Sequence, residues 1–331
     1  MVSVRLEHAV VVVTGASSGI GRATVETLAG AGATVVAVAR RRDPLEELAE
    51  RHQGHDGDGR VVARVADVTD ADAVERLAAD TVADHGRIDA WVNNAAVNQY
   101  GRFEELPLDE WRRVVETNLF GYAHGARAAI PYFREQGEGV LVNVASVVAK
   151  VPSPLQSAYV ASKFGIKGLS DALRQELQDA PGIAVSTVLP GPIDTPLFQH
   201  AANRTGYRIT PPEPTVDAVR VALAIASTIR RPRREVPVGV ASTRFGLLAN
   251  RLAPGLTERL GAPLMAASHL TDEPVAPTAG NVHEPVVEGT GVSGGWKPSR
   301  AGRPGRTLAI VGGVAGVGVA AAVALRARTR S

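Results

Sequence analysis

Strand-like and helix-like segments alternate along the first 240 residues, and this alternation is what most limits the fold. Seven short apolar runs have the length and β-branched composition of buried strands: 9–13, 34–39, 61–65, 90–92, 139–143, 183–189 and 235–240. Amphipathic stretches between them are predicted as helices: 21–29, 46–51, 71–84, 108–135, 157–178 and 216–229. Because right-handed βαβ units build parallel sheets, the sequence predicts an α/β fold with one doubly wound parallel sheet of about seven strands and helices on both faces.

Composition limits the chemistry that these 331 residues can carry. The chain has no cysteine, which excludes disulfides, thiolate metal sites and a cysteine nucleophile. Its eight histidines form no recognised ligand spacing, so we predict no metal site. The net charge is +2, but residues 281–331 carry seven basic and two acidic side chains, which leaves the preceding body slightly acidic. Such a body lacks the phosphate-neutralising face of a nucleic-acid-binding protein, and we predict no nucleic-acid partner.

The character of the sequence changes after residue 240. Residues 1–240 are predicted as the α/β domain and residues 241–270 as a short helical extension. Residues 271–306 are rich in proline and glycine and have no sustained period, which predicts a flexible linker.

The segment 307–325 contains an uncharged run with arginines on both sides. At 1.5 Å per residue, its 18 apolar residues would span about 27 Å as a helix, close to the roughly 30 Å core of a bilayer. We therefore predict a transmembrane tail helix at 307–325, followed by a basic tail at 326–331. A buried core helix is the alternative, although a segment beyond a linker has no core left to join.

A glycine-rich turn, TGASSGIG at 14–21, joins the first predicted strand to the first predicted helix. Glycines there let the backbone turn sharply and let a pyrophosphate approach the free N–H groups of the helix N-terminus. The turn therefore favours a dinucleotide site, with an ordinary tight βα turn as the alternative.

Tyr159 and Lys163 are four residues apart on a predicted helix, so their side chains share one face. A neighbouring cation lowers the pKa of a phenol, which would make Tyr159 a workable proton donor and acceptor. Ser146 follows the end of a predicted strand, where parallel sheets form their ligand crevice. A solvated helix face is the alternative for either motif taken alone.

In this order, the motifs resemble those of the short-chain dehydrogenase/reductase family over residues 5–240. The resemblance includes Asp67-Val68 after the third strand, the family's N-N-A-G motif at 93–96 with alanine in its last position, and the P-G-x-x-x-T motif at 190–195. It implies that residues 1–240 are a Rossmann-like catalytic domain that binds a nicotinamide dinucleotide. The catalytic residues implied by the family's motifs are Asn118, Ser146, Tyr159 and Lys163. The implied cofactor-binding residues are Gly15, Ser17, Ser18, Gly19, Ile20, Gly21, Arg40, Arg41, Asp67, Val68, Asn94, Ala95, Tyr159, Lys163, Pro190, Gly191, Ile193 and Thr195.

The end of the second strand selects between the two dinucleotides. A carboxylate there would bond the ribose hydroxyls of NAD and repel a 2′-phosphate. This chain has Ala39 followed by Arg40 and Arg41, and a guanidinium can bind a phosphate bidentately. We therefore predict NADP(H), with a solvated basic turn as the alternative reading of the arginines.

The resemblance implies an oxidoreductase of the EC 1.1.1 type, which transfers a hydride between the nicotinamide and a carbonyl or secondary alcohol. In this mechanism Tyr159 exchanges a proton with the substrate oxygen, and Ser146 hydrogen-bonds that oxygen. Lys163 bonds the nicotinamide ribose and lowers the pKa of Tyr159, while Asn118 anchors a water that links Lys163 to solvent.

Apolar side chains are expected around the substrate, with Gln156 and Gln199 as polar candidates. The apolar candidates are Val148, Val151, Pro154, Leu155, Leu197 and Phe198. Such a pocket predicts a lipophilic small-molecule substrate. The resemblance also implies a homodimer or homotetramer, and the cytosolic cofactor implies a cytoplasmic catalytic domain, tail-anchored if 307–325 inserts. A membrane-tethered NADP(H) sensor without catalysis and an epimerase or dehydratase remain the rival functions.

Overall fold

The computed structural model describes residues 4–53 and 59–296, which contain thirteen strands and ten α-helices. The strands are β1 (Val10–Thr14), β2 (Thr34–Ala39), β3 (Arg60–Val65), β4 (Ala90–Asn93), β5 (Gln99–Tyr100), β6 (Gly139–Val144), β7 (Ile183–Pro190), β8 (Ile193–Asp194), β9 (Ala202–Asn203), β10 (Tyr207–Ile209), β11 (Val216–Asp217), β12 (Glu235–Val238) and β13 (Leu270–Pro274). The helices are α1 (Gly19–Ala29), α2 (Asp43–Arg51), α3 (Ala71–His85), α4 (Leu108–Val115), α5 (Gly121–Gln136), α6 (Ser157–Glu176), α7 (Leu197–His200), α8 (Ala218–Arg230), α9 (Ala241–Leu252) and α10 (Pro254–His269).

Seven of these strands form one sheet in the order β12-β7-β6-β4-β1-β2-β3. All of its neighbouring pairs are parallel. The order reverses at β1, because the chain runs outward to β3 on one side and then to β4, β6, β7 and β12 on the other. The α/β prediction of a doubly wound sheet with about seven strands is therefore confirmed. The carboxyl ends of β1 and β4 flank the switch point, where such sheets bind ligands.

The strands are continuously apolar because helices cover both faces of the sheet. In β1, Val11 and Val13 pack in the core beneath α1 and α8, whereas Val12 faces the opposite core beneath α3 and α5. Successive side chains of a strand point to opposite faces, so a strand buried on both sides needs an unbroken apolar run.

The long helix expected at 108–135 is divided in the structure. A single π-helical turn, Glu116–Phe120, separates α4 from α5. Gly121, the first residue of α5, packs against the loop that follows β3. A Cβ on Gly121 would lie 2.7 Å from Cγ2 of Val68 in that loop. Apolar periodicity does not detect an extra residue inserted in one turn, and such turns often mark functional sites.

The C-terminal segment differs most from its prediction. The linker expected at 271–306 is instead, up to Trp296, hydrogen-bonded to the α/β domain. β13 pairs antiparallel with β10, and residues 275–296 then cross the carboxyl edge of the sheet. We call residues 275–296 the C-terminal strap. Its partners are main-chain groups and polar side chains distant in sequence, which periodicity cannot detect.

Within the ranges that the structure describes, no helix is both long and apolar enough to cross a bilayer. The predicted transmembrane helix at 307–325 and the basic tail at 326–331 lie outside the described residues.

Candidate active site

The glycine-rich turn lies between β1 and α1 and is packed tightly against the end of β4. Gly15 has a φ of +69°, and a Cβ there would lie 2.7 Å from Cα of Ala95. A Cβ on Gly21 would lie 2.1 Å from the carbonyl oxygen of Gly15. Side chains at these positions would therefore displace the loop that presents the N-terminus of α1. The arrangement fits a dinucleotide, whose pyrophosphate needs close approach to the backbone and to free helix N–H groups.

Asn94 fixes the end of β4 to this turn. Its Nδ2 donates to the carbonyl oxygen of Thr14 at 3.0 Å, and its backbone N–H donates to the Thr14 hydroxyl at 3.0 Å. The N–H of Ala95 donates to the same hydroxyl at 3.2 Å. Asn94 and Ala95 thus lie at the sheet's switch point, beside the glycine-rich turn.

Asp67 and Val68 follow β3 at the other side of the turn. The Oδ1 atom of Asp67 accepts from the N–H and hydroxyl of Thr69, at 2.9 and 2.8 Å, and Oδ2 accepts from Arg113. Burial raises the pKa of the Asp67 carboxyl, but the Thr69 hydrogen bonds and the Arg113 charge outweigh it and lower the net pKa. Asp67 is therefore an ionised acceptor at neutral pH.

Arg40 directs its guanidinium to the C-terminal strap. Its Nη1 donates to the carbonyl oxygen of His283 at 2.6 Å, and its Nη2 donates to that of Asn281 at 2.7 Å. Sequence reasoning assigned this side chain to a phosphate and gave no sign of its protein partners.

Arg41 bridges the strap and the glycine-rich turn. Its Nε and Nη2 donate to the hydroxyl of Ser17 at 3.2 and 3.0 Å. Its Nη1 donates to the carbonyl oxygens of Val286 and Glu288 at 2.9 and 3.2 Å. Both predicted phosphate ligands are thus held in position from the strap side.

Tyr159, Lys163 and Ser146 meet at the carboxyl ends of β6 and β7. Tyr159 and Lys163 share the buried face of α6, and the hydroxyl of Ser146 lies close enough to Tyr159 to lower its pKa. The Nζ atom of Lys163 donates to the carbonyl oxygen of Val144 at 3.0 Å and to the hydroxyl of Tyr122 at 3.4 Å. The three residues predicted from the sequence therefore lie in one cluster.

Burial governs the protonation of this cluster. It raises the pKa of Tyr159 to about 12, although the hydrogen bond from Ser146 acts in the opposite direction. Burial also lowers the pKa of Lys163 to about 7. The expected lowering of the Tyr159 pKa by Lys163 is thus absent, because a desolvated site disfavours the phenolate and the ammonium alike.

Asn118 lies in the π-helical turn, and its side chain is fully engaged. Its Oδ1 accepts from the N–H of Val97 at 2.9 Å, while its Nδ2 donates to the Val97 carbonyl oxygen and to the Ser162 hydroxyl, at 2.9 and 3.2 Å. The amide therefore ties this turn to the segment after β4 and to α6. The predicted role of Asn118, anchoring a water for Lys163, stays a prediction.

The motif at 190–195 connects β7 to α7. The N–H of Gly191 donates to the carbonyl oxygen of Val238 at 2.8 Å, and Ile193 is buried in the core. Thr195 lies opposite the glycine-rich turn, where a Cβ on Gly19 would be 3.2 Å from its side chain. The motif and the turn therefore face one another.

A cavity of about 390 Å³ connects all of these elements. Of the predicted catalytic and cofactor-binding residues, every one lines it except Gly21 and Asn118. Gly21 is the glycine packed on Gly15, and Asn118 is completely buried behind the cavity wall. The sequence motifs thus assemble around one continuous space.

The wall beyond Tyr159 is largely apolar. Five of the predicted substrate-pocket residues line it, namely Val148, Val151, Gln156, Leu197 and Phe198, whereas Pro154, Leu155 and Gln199 do not. Tyr100, Leu247, Met265 and His269 also line it and were not predicted. Three of these come from α9 and α10, and no motif signals that these helices fold back over the cavity.

His269 is the most polar of these additional residues. Its Nε2 lies 3.3 Å from both the Ser153 hydroxyl and the Gln156 Nε2. Burial lowers its pKa to about 4, so the imidazole is neutral at physiological pH. It can therefore serve as a neutral hydrogen-bonding group in an otherwise apolar wall.

In the part of the chain open to description, no group of three or more His, Cys, Asp or Glu side chains could hold a metal ion.

Comparison with known proteins decides the family. The family model described as "short chain dehydrogenase" matches residues 9–205, more than half of the chain. The chain belongs to the short-chain dehydrogenase family. A similar relative is an uncharacterized oxidoreductase, YxnA, of Bacillus subtilis, at 34% identity over 345 residues that cover 98% of this chain and 92% of the relative. The chain is therefore an oxidoreductase of this family.

Three solved structures resemble this short-chain dehydrogenase. One, from Streptomyces avermitilis, has 32% identity and a TM-score of 0.65, covering 76% of this chain and 96% of that one. An alcohol dehydrogenase from Thermococcus sibiricus, complexed with 5-hydroxy-NADP, has 27% identity and a TM-score of 0.60, covering 71% and 96%. A short-chain dehydrogenase from Burkholderia phymatum in complex with NAD has 24% identity and a TM-score of 0.67, covering 83% and 99%, which shows the fold alone.

Proposed function

We propose that this short-chain dehydrogenase uses NADP(H) to interconvert a carbonyl and a secondary alcohol, on a lipophilic substrate. One observation carries the proposal: Ser146, Tyr159 and Lys163 line the same cavity as the glycine-rich turn. A bound nicotinamide dinucleotide would supply or accept the hydride. The protein has to hold the substrate oxygen and move one proton.

Tyr159 supplies that proton. With a pKa of about 12 its hydroxyl is protonated at neutral pH, which suits donation to the oxygen of a carbonyl as it is reduced. Ser146 lines the same cavity as Tyr159, so its hydroxyl can hold the same oxygen. A protonated Tyr159 hydroxyl is the form that carbonyl reduction needs.

Lys163 and Asn118 position the reacting groups in this proposal. Lys163 reaches the carbonyl oxygen of Val144 and the hydroxyl of Tyr122, and in its ammonium form it has a third proton available to a ribose hydroxyl. Asn118 holds the π-helical turn against α6 through Ser162. Removing the side chain of Lys163 or of Asn118 would therefore disturb the position of Tyr159 without removing the proton donor itself.

The choice of NADP(H) rests on the residues after β2. Ala39 provides no carboxylate to repel a 2′-phosphate, and Arg40 and Arg41 line the cavity. The crystallised relative from Thermococcus sibiricus, whose complex contains 5-hydroxy-NADP, supports this choice. A lipophilic substrate is supported by the apolar wall formed by Val148, Leu247 and Phe198.

A homo-oligomer is proposed on the family resemblance and on exposed apolar side chains of α4–α6. Leu108, Phe120 and Phe164 are 59%, 53% and 43% exposed, on neighbouring elements. Analytical ultracentrifugation tests this assembly, since a single monomeric species at micromolar concentration would contradict it.

The proposed membrane tail is tested separately, by flotation of the full chain with liposomes.

The test of the reaction uses the full chain, because the C-terminal strap lines the cavity. Consumption of NADPH and NADH is followed across a panel of lipophilic ketones and aldehydes, with Tyr159→Phe as the variant. We expect turnover with NADPH and its loss by at least about a hundredfold in Tyr159→Phe, with NADPH binding retained. Dinucleotide binding without turnover on any carbonyl would favour the sensor, and net turnover without NADPH consumption would favour an epimerase.

A further inference from the structure

The C-terminal strap runs across the open edge of the dinucleotide cleft and is attached along its length. At its start, the N–H groups of Asn203 and Thr278 donate to each other's carbonyl oxygens at 2.8 and 3.0 Å, and the N–H of Asn281 donates to the carbonyl oxygen of His200 at 2.8 Å. These bonds fix where the strap leaves β13 and direct it toward Arg40.

Over the cleft, the strap binds the residues that face a dinucleotide. Four of its carbonyl oxygens accept from the guanidiniums of Arg40 and Arg41. A fifth, that of Gly291, accepts from the N–H of Gly19 at 3.0 Å, at the start of α1. The strap therefore joins the end of β2 to the N-terminus of α1 across the intervening space.

Asp194 fastens the far end of the strap. Its buried carboxylate accepts from the hydroxyl of Ser293 at 2.6 Å and from the N–H groups of Gly294 and Trp296 at 2.9 and 3.0 Å. The indole N–H of Trp296 donates to the carbonyl oxygen of Thr195 at 3.0 Å. A carboxylate satisfied by three donors is a strong attachment, because charge-assisted hydrogen bonds are about twice as strong as neutral ones.

The strap covers the cleft without filling it. Asn281, Pro285 and Val286 line one side of the cavity, while the glycine-rich turn and Asp67 also line it. The space between the strap and the floor of the cleft is thus part of the same cavity that reaches Tyr159. The strap does occupy one N–H group of the turn, that of Gly19, so a bound pyrophosphate would displace this bond or use the neighbouring N–H groups.

We propose that the C-terminal strap is the outer wall of the dinucleotide site and retains the bound dinucleotide. This inference rests on the proposed use of a nicotinamide dinucleotide. Dissociation then requires the strap to release at least part of its bonds to Arg40, Arg41 and Gly19. Loosening the strap should accelerate release of the dinucleotide without altering the residues around the reacting atoms.

Two strap glycines allow a test in the full chain. Gly289 has a φ of +68°, and a Cβ there would lie 2.4 Å from Nε2 of His200; a Cβ on Gly294 would lie 2.4 Å from the Thr195 carbonyl oxygen. Gly289→Val and Gly294→Val should each displace the strap, and neither glycine lines the cavity. Val287→Ser is the matched control on the same strap, since Val287 is 85% exposed.

The first measurement is the NADPH dissociation rate by stopped-flow fluorescence. We expect it to rise about tenfold or more in Gly289→Val and Gly294→Val, the change produced by losing one or two hydrogen bonds, and to stay at the parent value in Val287→Ser. Thermal unfolding of each variant shows that the domain remains folded. Two strap variants at separate positions guard against an effect specific to one substitution.

The second measurement is hydrogen exchange of peptides covering 281–296 in the unmodified protein, with and without saturating NADPH. We expect slower exchange with NADPH. Unchanged dissociation rates in both strap variants would overturn the inference, and slower dissociation would identify the strap as a plug that competes with the dinucleotide. If the unmodified protein binds neither NADPH nor NADH, the proposed function fails first and the inference fails with it.

Discussion

The ammonium nitrogen of Lys163 lies 5.3 Å from the centroid of the Tyr159 ring, and both side chains are buried on the same face of α6. At this separation a cation would normally stabilise a phenolate. Here desolvation acts on both groups, which leaves the tyrosine protonated and brings the pKa of the lysine to about 7. The lysine is therefore the group of this pair that changes charge near neutral pH.

This pair predicts how stability depends on pH. The folded-state pKa of Lys163 is about 7, against an ordinary value of 10.5, so between these values the unfolded chain binds more protons than the folded one. Lys163 therefore makes the free energy of unfolding rise with pH in this window, by up to about 1.4 kcal/mol per pH unit. The free energy of unfolding, measured by urea denaturation without dinucleotide at several pH values between 7 and 10, should rise less steeply with pH in Lys163→Met than in the unmodified protein. Equal slopes would contradict the buried, deprotonated lysine.

Asp171 predicts a dependence of the same sign at acid pH, because its folded-state pKa is also lowered. Burial raises its pKa, but the hydrogen bonds from Lys167 and Arg174 and the charges of these two residues together outweigh burial and lower the pKa to about 2. The stabilisation is present above the ordinary value of 3.8 and is lost as the pH falls toward 2. Asp171→Asn should lower the free energy of unfolding by about 2 kcal/mol at pH 6, with the difference vanishing near pH 2. Denaturation curves at four pH values measure this, and a difference that persists at pH 2 would assign the loss to packing.

Arg40 and Arg41 predict a cofactor preference that binding measurements can separate from strap loosening. Arg41→Ala should weaken NADPH binding by about tenfold more than NADH binding, because only NADPH has the 2′-phosphate. A loosened strap alone would weaken both dinucleotides by the same factor. Fluorescence titration of both dinucleotides gives the ratio. The Val287→Ser variant is the reference, because this strap substitution should neither remove a phosphate contact nor loosen the strap.

Gly21 predicts a steric requirement at the glycine-rich turn. In Gly21→Ala the new Cβ would lie 2.1 Å from the Gly15 carbonyl oxygen, so the turn has to shift. We expect binding of both dinucleotides to weaken by more than about tenfold, since the helix N–H groups move with the turn. Gly168→Ala is the matched control, because nothing lies within 4 Å of its new Cβ in α6 and alanine favours a helix. If titration shows unchanged binding in Gly21→Ala, the turn does not hold the dinucleotide.

The local motifs were predictable because each depends on residues close in sequence. The continuous apolar run of β1 follows from burial on both faces, and the four-residue spacing of Tyr159 and Lys163 follows from the helical period. Ser146 at the end of β6 and the turn at 14–21 were placed by the order of the predicted strands. The family resemblance then assigned roles to these positions, and those roles still await measurement.

Other features depend on contacts between distant segments. The π-helical turn at Asn118 depends on Val97 and Ser162, and the neutral His269 depends on the fold of α10 over the cavity. The high pKa of Tyr159 could not be predicted from the sequence either, because desolvation depends on the complete surroundings of a side chain. A sequence shows which groups are charged but not how far they are buried.

The sequence by itself determined the parallel sheet, the glycine-rich turn and the catalytic candidates, because hydrophobic periodicity and short spacings specify local structure directly. Tertiary structure alone decided the course of residues 275–296. That segment has no apolar period, so its sequence predicts a linker. Its order comes from main-chain hydrogen bonds to Arg40, Arg41, Gly19 and Asp194, and those partners come together only when the sheet has folded.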